Sequence, residues 1–78
     1  MSVQRKYVRF KKGIVIFPES IIHSEFASEL RHLLGWPISA GFTDGETCWG
    51  ESISIGVKSL PEDSDILQNG NYGNGYDW

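Results

Sequence analysis

The stretch RKYVRFKKGIVIFP, residues 5–18, decides how the rest of the chain is read. Its first half alternates. Arg5, Tyr7, Arg9 and Lys11 share one side of an extended chain, and Lys6, Val8, Phe10 and Lys12 share the other. Val8 and Phe10 supply an apolar side, which predicts a half-buried strand over residues 4–11. Lys11-Lys12-Gly13 then makes a short turn, with Gly13 free to take a positive φ. Ile14-Val15-Ile16-Phe17 is a continuous β-branched and aromatic run, suited to a strand covered on both faces, and Pro18 ends it. The stretch is therefore a β-hairpin.

Beyond Pro18 the period changes. In ESIIHSEFASELRHLLG (19–35) Ile22, Phe26, Leu30 and Leu33 recur as one stripe of an amphipathic helix, flanked by Ala27 and Leu34. Ser20 or Ser24 can cap its start, and Glu25 lies early, near the positive end of the helix dipole. Arg31 and His32 fall in the last turn, Gly35 suits the C′ position, and Pro37 prevents continuation. Short strands follow: ISAGF (38–42), a Thr43-Asp44-Gly45 turn, and TCWGESISIGV (47–57). In the last of these Ile53, Ile55 and Val57 alternate with small residues, and Gly50 marks a bulge or a close backbone approach. SLPEDSDILQN reads as a second helix with a Ser59-x-x-Glu62 capping box, docked by Leu60, Ile66 and Leu67.

The element order is thus ββαββα. It predicts an α+β class with a small, mainly antiparallel four-stranded sheet and one long helix across one face. At 78 residues the chain allows one domain, taken as residues 1–68. GNYGNGYDW, which closes the chain, alternates Gly and Asn with aromatics, so residues 69–78 are expected to be a flexible tail.

Several activities are excluded by what the residues lack. Cys48 is the single cysteine, so an intrachain disulfide and a multi-cysteine zinc site are ruled out. Cys48, His23 and His32 are the one Cys/His set available. The two histidines are nine residues apart and do not share a tight helical face, so no nucleophile–base–orienter constellation forms. GESIS fails the G-x-S-x-G elbow at Ser54. DGETCWGE lacks the alternating oxygen ligands of a calcium loop. The Gly-rich end lacks the lysine and the following helix of a phosphate cradle. No catalytic residue, metal ligand or cofactor site is therefore assigned, and a non-enzymatic protein is expected.

Charge is uneven along the chain. Residues 1–34 hold six lysines and arginines against three acids, whereas residues 35–78 hold one lysine against seven acids. Such asymmetry favours interaction surfaces. Glu62, Asp63 and Asp65, with the aromatics Tyr72, Tyr76 and Trp78, are the candidate contacts for an as yet unknown protein partner. A second reading gives Arg5, Tyr7, Arg9 and Lys11 to single-stranded nucleic acid, since cations interleaved with an aromatic suit a stacking sheet face. Four or five phosphate contacts would give a log–log salt slope of about −4. The competing explanation of the same side is an edge strand guarded by charge against aggregation. An exposed sheet edge also leaves a homodimer open. No apolar run of membrane-span or leader type is present, which points to a cytoplasmic protein with no membrane partner.

The segments IFPESIIHSEFA (16–27), PISAGF (37–42) and GESISIGVKSLPEDSD (50–65) resemble small uncharacterised proteins encoded by bacteriophages and prophages. The resemblance spans residues 7–65. It implies a compact accessory or regulatory protein that binds and occludes a host or phage factor, including host defence enzymes. The acidic residues 44–65 would then be the natural contact surface. It implies no activity and no site residues.

Overall fold

The computed structural model describes residues 4–69 and 72–73. Strands β1 (Arg5–Phe10) and β2 (Gly13–Phe17) form the expected antiparallel hairpin, with Tyr7 opposite Ile16 and Val8 opposite Val15. Helix α1 (His23–Leu34) follows, and the chain then returns along the other side of β1 as β3 (Ser39–Thr43). β4 (Cys48–Trp49) pairs antiparallel with the end of β3. The sheet therefore contains four antiparallel strands in the order β4-β3-β1-β2. β5 (Glu51–Ser52) and β6 (Val57–Lys58) make a separate two-stranded ribbon, and helix α2 (Pro61–Gln68) follows it. β7 (Tyr72–Gly73) adds a short parallel pairing beside Ile14 and Val15 of β2. The remainder of the expected tail lies outside the described residues.

Both faces of the sheet are covered, and strand alternation decides which residue goes where. Val8, Phe10, Val15 and Phe17 point toward α1 and pack with Ala27, Leu34 and Ala40. Tyr7, Ile14 and Ile16 point the other way and pack with Leu67 of α2. All five residues of β2 are buried, as its unbroken apolar run requires. Two helices sandwiching one sheet give this short chain two thin cores instead of one thick one.

Several local features differ from the pattern the residues predict. The apolar stripe of α1 runs through His23, Phe26, Ala27, Leu30 and Leu34, while Ile22 and Leu33 are exposed. Ile22 sits at the N-cap with extended backbone, so the helix starts after it and neither Ser20 nor Ser24 caps it by side chain. Instead the Ser24 N–H donates to the Ser54 hydroxyl, 3.2 Å away across the fold. At the other end Gly35, at φ 81°, terminates the helix as expected, its N–H returning to the Arg31 carbonyl.

The strand expected over 47–57 is broken twice. Gly50, at φ 78°, separates β4 from β5. Ile53–Gly56 then folds into a tight turn, with the Gly56 N–H donating to the Ser52 carbonyl and the Ile55 N–H to the Ser52 hydroxyl. Serine hydroxyls offer the backbone a local partner that competes with a sheet ladder. This turn leaves Ile53 88% exposed, while Ile55 and Val57 reach the core under α1. The close backbone approach occurs at Gly41, where a Cβ would collide with the Trp49 carbonyl oxygen.

The cap of α2 shifts by one residue from the Ser59–Glu62 box. Leu60 is the N-cap, Pro61 occupies the first helical position, and the Asp63 carboxylate reaches back to the Leu60 N–H at 2.9 Å.

Candidate functional site

β1 is central in the sheet, so its charges do not guard an edge. Tyr7 is fully buried beneath α2, and its hydroxyl donates to the Asp63 carboxylate at 2.5 Å. Arg9 donates to the other oxygen of Asp63 at 3.1 Å and lies 3.2 Å from Glu62. Asp63 has no exposed surface and receives a third bond from the Leu60 N–H. A buried carboxylate is tolerated when its lone pairs are filled in this way and a cation is adjacent. Burial first, then the hydrogen bond and charge of Asp63, push the Tyr7 phenol well above its ordinary range.

This cluster draws members of both candidate sets together. Arg5 and Lys11 are exposed, but Tyr7 cannot stack on a base and the Arg9 charge is matched by two acids. Among the acids, Asp63 is internal and Glu62 is paired, leaving Asp65 exposed on α2. Tyr72 contributes backbone to β7, and Tyr76 and Trp78 lie outside the described residues.

His23 and Cys48 are partly or fully covered by their neighbours. His23 is buried at the start of α1, with Nε2 2.8 Å from the Gly41 carbonyl. A carbonyl only accepts, so Nε2 carries the proton. Its ring meets Phe17 and Phe42 edge-on, at centroid distances of 5.5 and 5.8 Å. Burial is the main cause lowering its pKa, and the charge on Lys6 acts in the same direction. The Cys48 thiol is half-buried and pushed up to about 11, chiefly by burial. Among the described residues no group of three or more His, Cys, Asp or Glu side chains is placed to hold a metal, and no helix is long and apolar enough to cross a membrane.

A second surface lies at the end of α1. Trp36, just past α1, is 70% exposed, and the Arg31 guanidinium sits 3.6 Å above its ring. Together with Ala27, Ser28, Pro37 and Ile55 they line a depression of about 240 Å³ between α1 and the β5–β6 turn. Ser24 and Ser54 close one side of it, joined by the hydrogen bond that caps the helix. Trp36 belongs to neither the helical stripe nor a strand, so residue periodicity does not single it out. That is also the available signal: an aromatic between a helix-ending glycine and a proline has no periodic claim on a core.

The fold and this surface define a small α+β domain with a side-chain-sized groove. No protein family, curated protein or solved structure matches the chain.

Proposed function

We propose that the chain is a small non-enzymatic protein-binding module, accessory or regulatory in role, that works by occluding a surface of its partner. The segments that resemble phage and prophage proteins suggest a host or phage factor as that partner, and the lack of a membrane-span or leader-type run favours the cytoplasm as the compartment. The observation that carries this reading is Trp36, held exposed with Arg31 stacked on it. Trp and Arg are the residue types most enriched at energetic centres of interfaces, and an exposed indole beside a shallow groove is where such a centre forms. The acids of α2 support the role less, because Glu62 and Asp63 are engaged with Arg9 and Tyr7. No observation favours the nucleic-acid reading of the basic strand.

The test is a quantitative pull-down with purified wild type, Trp36→Ala and Asp65→Asn, from a lysate of a bacterial host. The expected result is a partner retained by wild type and Asp65→Asn and lost by Trp36→Ala. Retention of every partner by Trp36→Ala would remove the groove from the reading.

A further inference from the structure

We infer that the Trp36–Arg31 groove takes a short linear peptide segment: one apolar side chain with a carboxylate beside it and a cation beyond. This rests on the protein-binding reading above and adds the chemistry of the partner. Size is the first argument. Sites for drug-sized ligands and cofactors run to roughly 300–1,000 Å³. At about 240 Å³ the groove is smaller, suited to a single side chain seated on Ala27, Pro37 and Ile55.

Charge is the second argument. Among the described residues the ion pairs involve Arg9 alone, so none of the described carboxylates pairs with the Arg31 guanidinium. The guanidinium carbon sits 3.6 Å from the centre of the indole ring, and no described residue accepts a hydrogen bond from its N–H groups. A guanidinium held this way matches a carboxylate through two parallel bonds, with less rotamer entropy left to lose on binding. Ser28 is exposed at the groove and can bond the peptide backbone.

Polarity across α1 is the third argument. Ser24 and Ser28 are shared between this groove and a larger depression of about 640 Å³ that also contains Glu25 and Glu29. A segment crossing that ridge passes from a cation to two acids. It is therefore complementary when it carries an acid at the Arg31 end and a base at the Glu25–Glu29 end. A polyanion is disfavoured on the same grounds. Phosphate backbones need several contiguous cations, and here one arginine is followed by two carboxylates.

The experiment is a selection from a random dodecapeptide library on immobilised wild-type protein, with immobilised Trp36→Ala for subtraction. Both Trp36 and Arg31 are exposed, so their substitution leaves the core intact. The expected result is enrichment of peptides with an apolar residue next to Asp or Glu and a Lys or Arg on the far side. Arg31→Glu weakens those peptides about tenfold or more, and reselection on it exchanges the acid for a base. Peptides that depend on Trp36 but show no acid preference, or bind Arg31→Glu equally, overturn the inference and leave the protein-binding reading standing. Absence of any Trp36-dependent peptide overturns the inference and leaves the protein-binding reading to the pull-down. A fluorescent oligo-dT that binds at 50 mM salt through Trp36 and Arg31 overturns the inference in favour of nucleic acid.

Discussion

Asp63 ties α2 to the sheet, and its removal should reveal how much of the fold depends on one buried carboxylate. It accepts from the Tyr7 hydroxyl, Arg9 and the Leu60 N–H, and no solvent reaches it to replace any of them. Hydrogen bonds to charged groups contribute about 1.5–3 kcal/mol each. Asp63→Ala breaks all three, strips the Leu60 N–H of its capping acceptor and leaves the fully buried Tyr7 hydroxyl without this acceptor. Arg9 keeps Glu62, but that partner is 58% exposed and offsets little. Breaking a buried pair by removing one member costs about 3–5 kcal/mol. That is a large share of the total for so small a domain, about 5–15 kcal/mol at most. Tyr7→Phe is milder. It keeps the ring among Ile14, Ile16 and Leu67, and Asp63 retains Arg9 and Leu60, so about 2 kcal/mol is expected. In the Asp63→Ala background the same change should be nearly free, because it then removes a stranded hydroxyl. Urea unfolding of the four proteins, followed by far-UV circular dichroism, measures the coupling, expected at about 1.5–3 kcal/mol. Additivity within about 0.5 kcal/mol would refute the cluster as a unit. An alkaline arm checks the same geometry. Below the ordinary phenol pKa of about 10 both states keep the Tyr7 proton. Above it the unfolded chain releases the proton while the folded chain holds it, so stability falls as pH rises. Tyr7→Phe should lose that share of the decline.

Two further perturbations test the sheet and the seat of α1. Gly41→Ala drives a methyl into the Trp49 carbonyl, which is backbone and cannot swing aside, so a loss of about 3 kcal/mol is expected. A urea midpoint matching wild type would show that β3 and β4 are not packed this closely. For His23 the folded pKa lies below the unfolded value of about 6.5, so the unfolded chain binds a proton first as pH falls. The contribution is fully present above pH 6.5 and is lost on acidification through the window down to the lowered folded pKa. Urea unfolding at pH 7 and pH 5 should show this decline, and His23→Gln, which keeps an amide donor for the Gly41 carbonyl, should flatten it. An equal decline in both proteins would clear His23 of the effect.

Much of the architecture was legible in the residues. The alternation in RKYVRF, the unbroken IVIF and the stop at Gly35 each state a local preference, and the structure follows all three. The errors fall where a distant group overrides a local one. Ser59 and Glu62 compose a valid capping box, but Asp63 is drawn inward by Tyr7, and the cap moves with it. Ile22 and Leu33 fit a helical stripe, yet the helix begins one residue later and turns His23 and Ala27 toward the sheet. SISIGV alternates like a strand, and the Ser52 hydroxyl closes it into a turn whose Ser54 caps another helix.

The candidate site divides in the same way. Strand alternation by itself determined that Tyr7 and Arg9 share a face opposite Val8 and Phe10, because side chains in a strand have a period of two. Alternation says nothing about what covers either face. Only the tertiary structure decided that Tyr7 and Arg9 on that side are covered by α2 while Arg5 stays exposed, since the carboxylate that neutralises Arg9 lies 54 residues further along the chain. The same holds for the groove. Arg31 and Trp36 are close in sequence, but their exposure depends on where the β5–β6 turn comes to rest against α1. Local preference sets the elements; which faces remain open is a property of how distant elements pack.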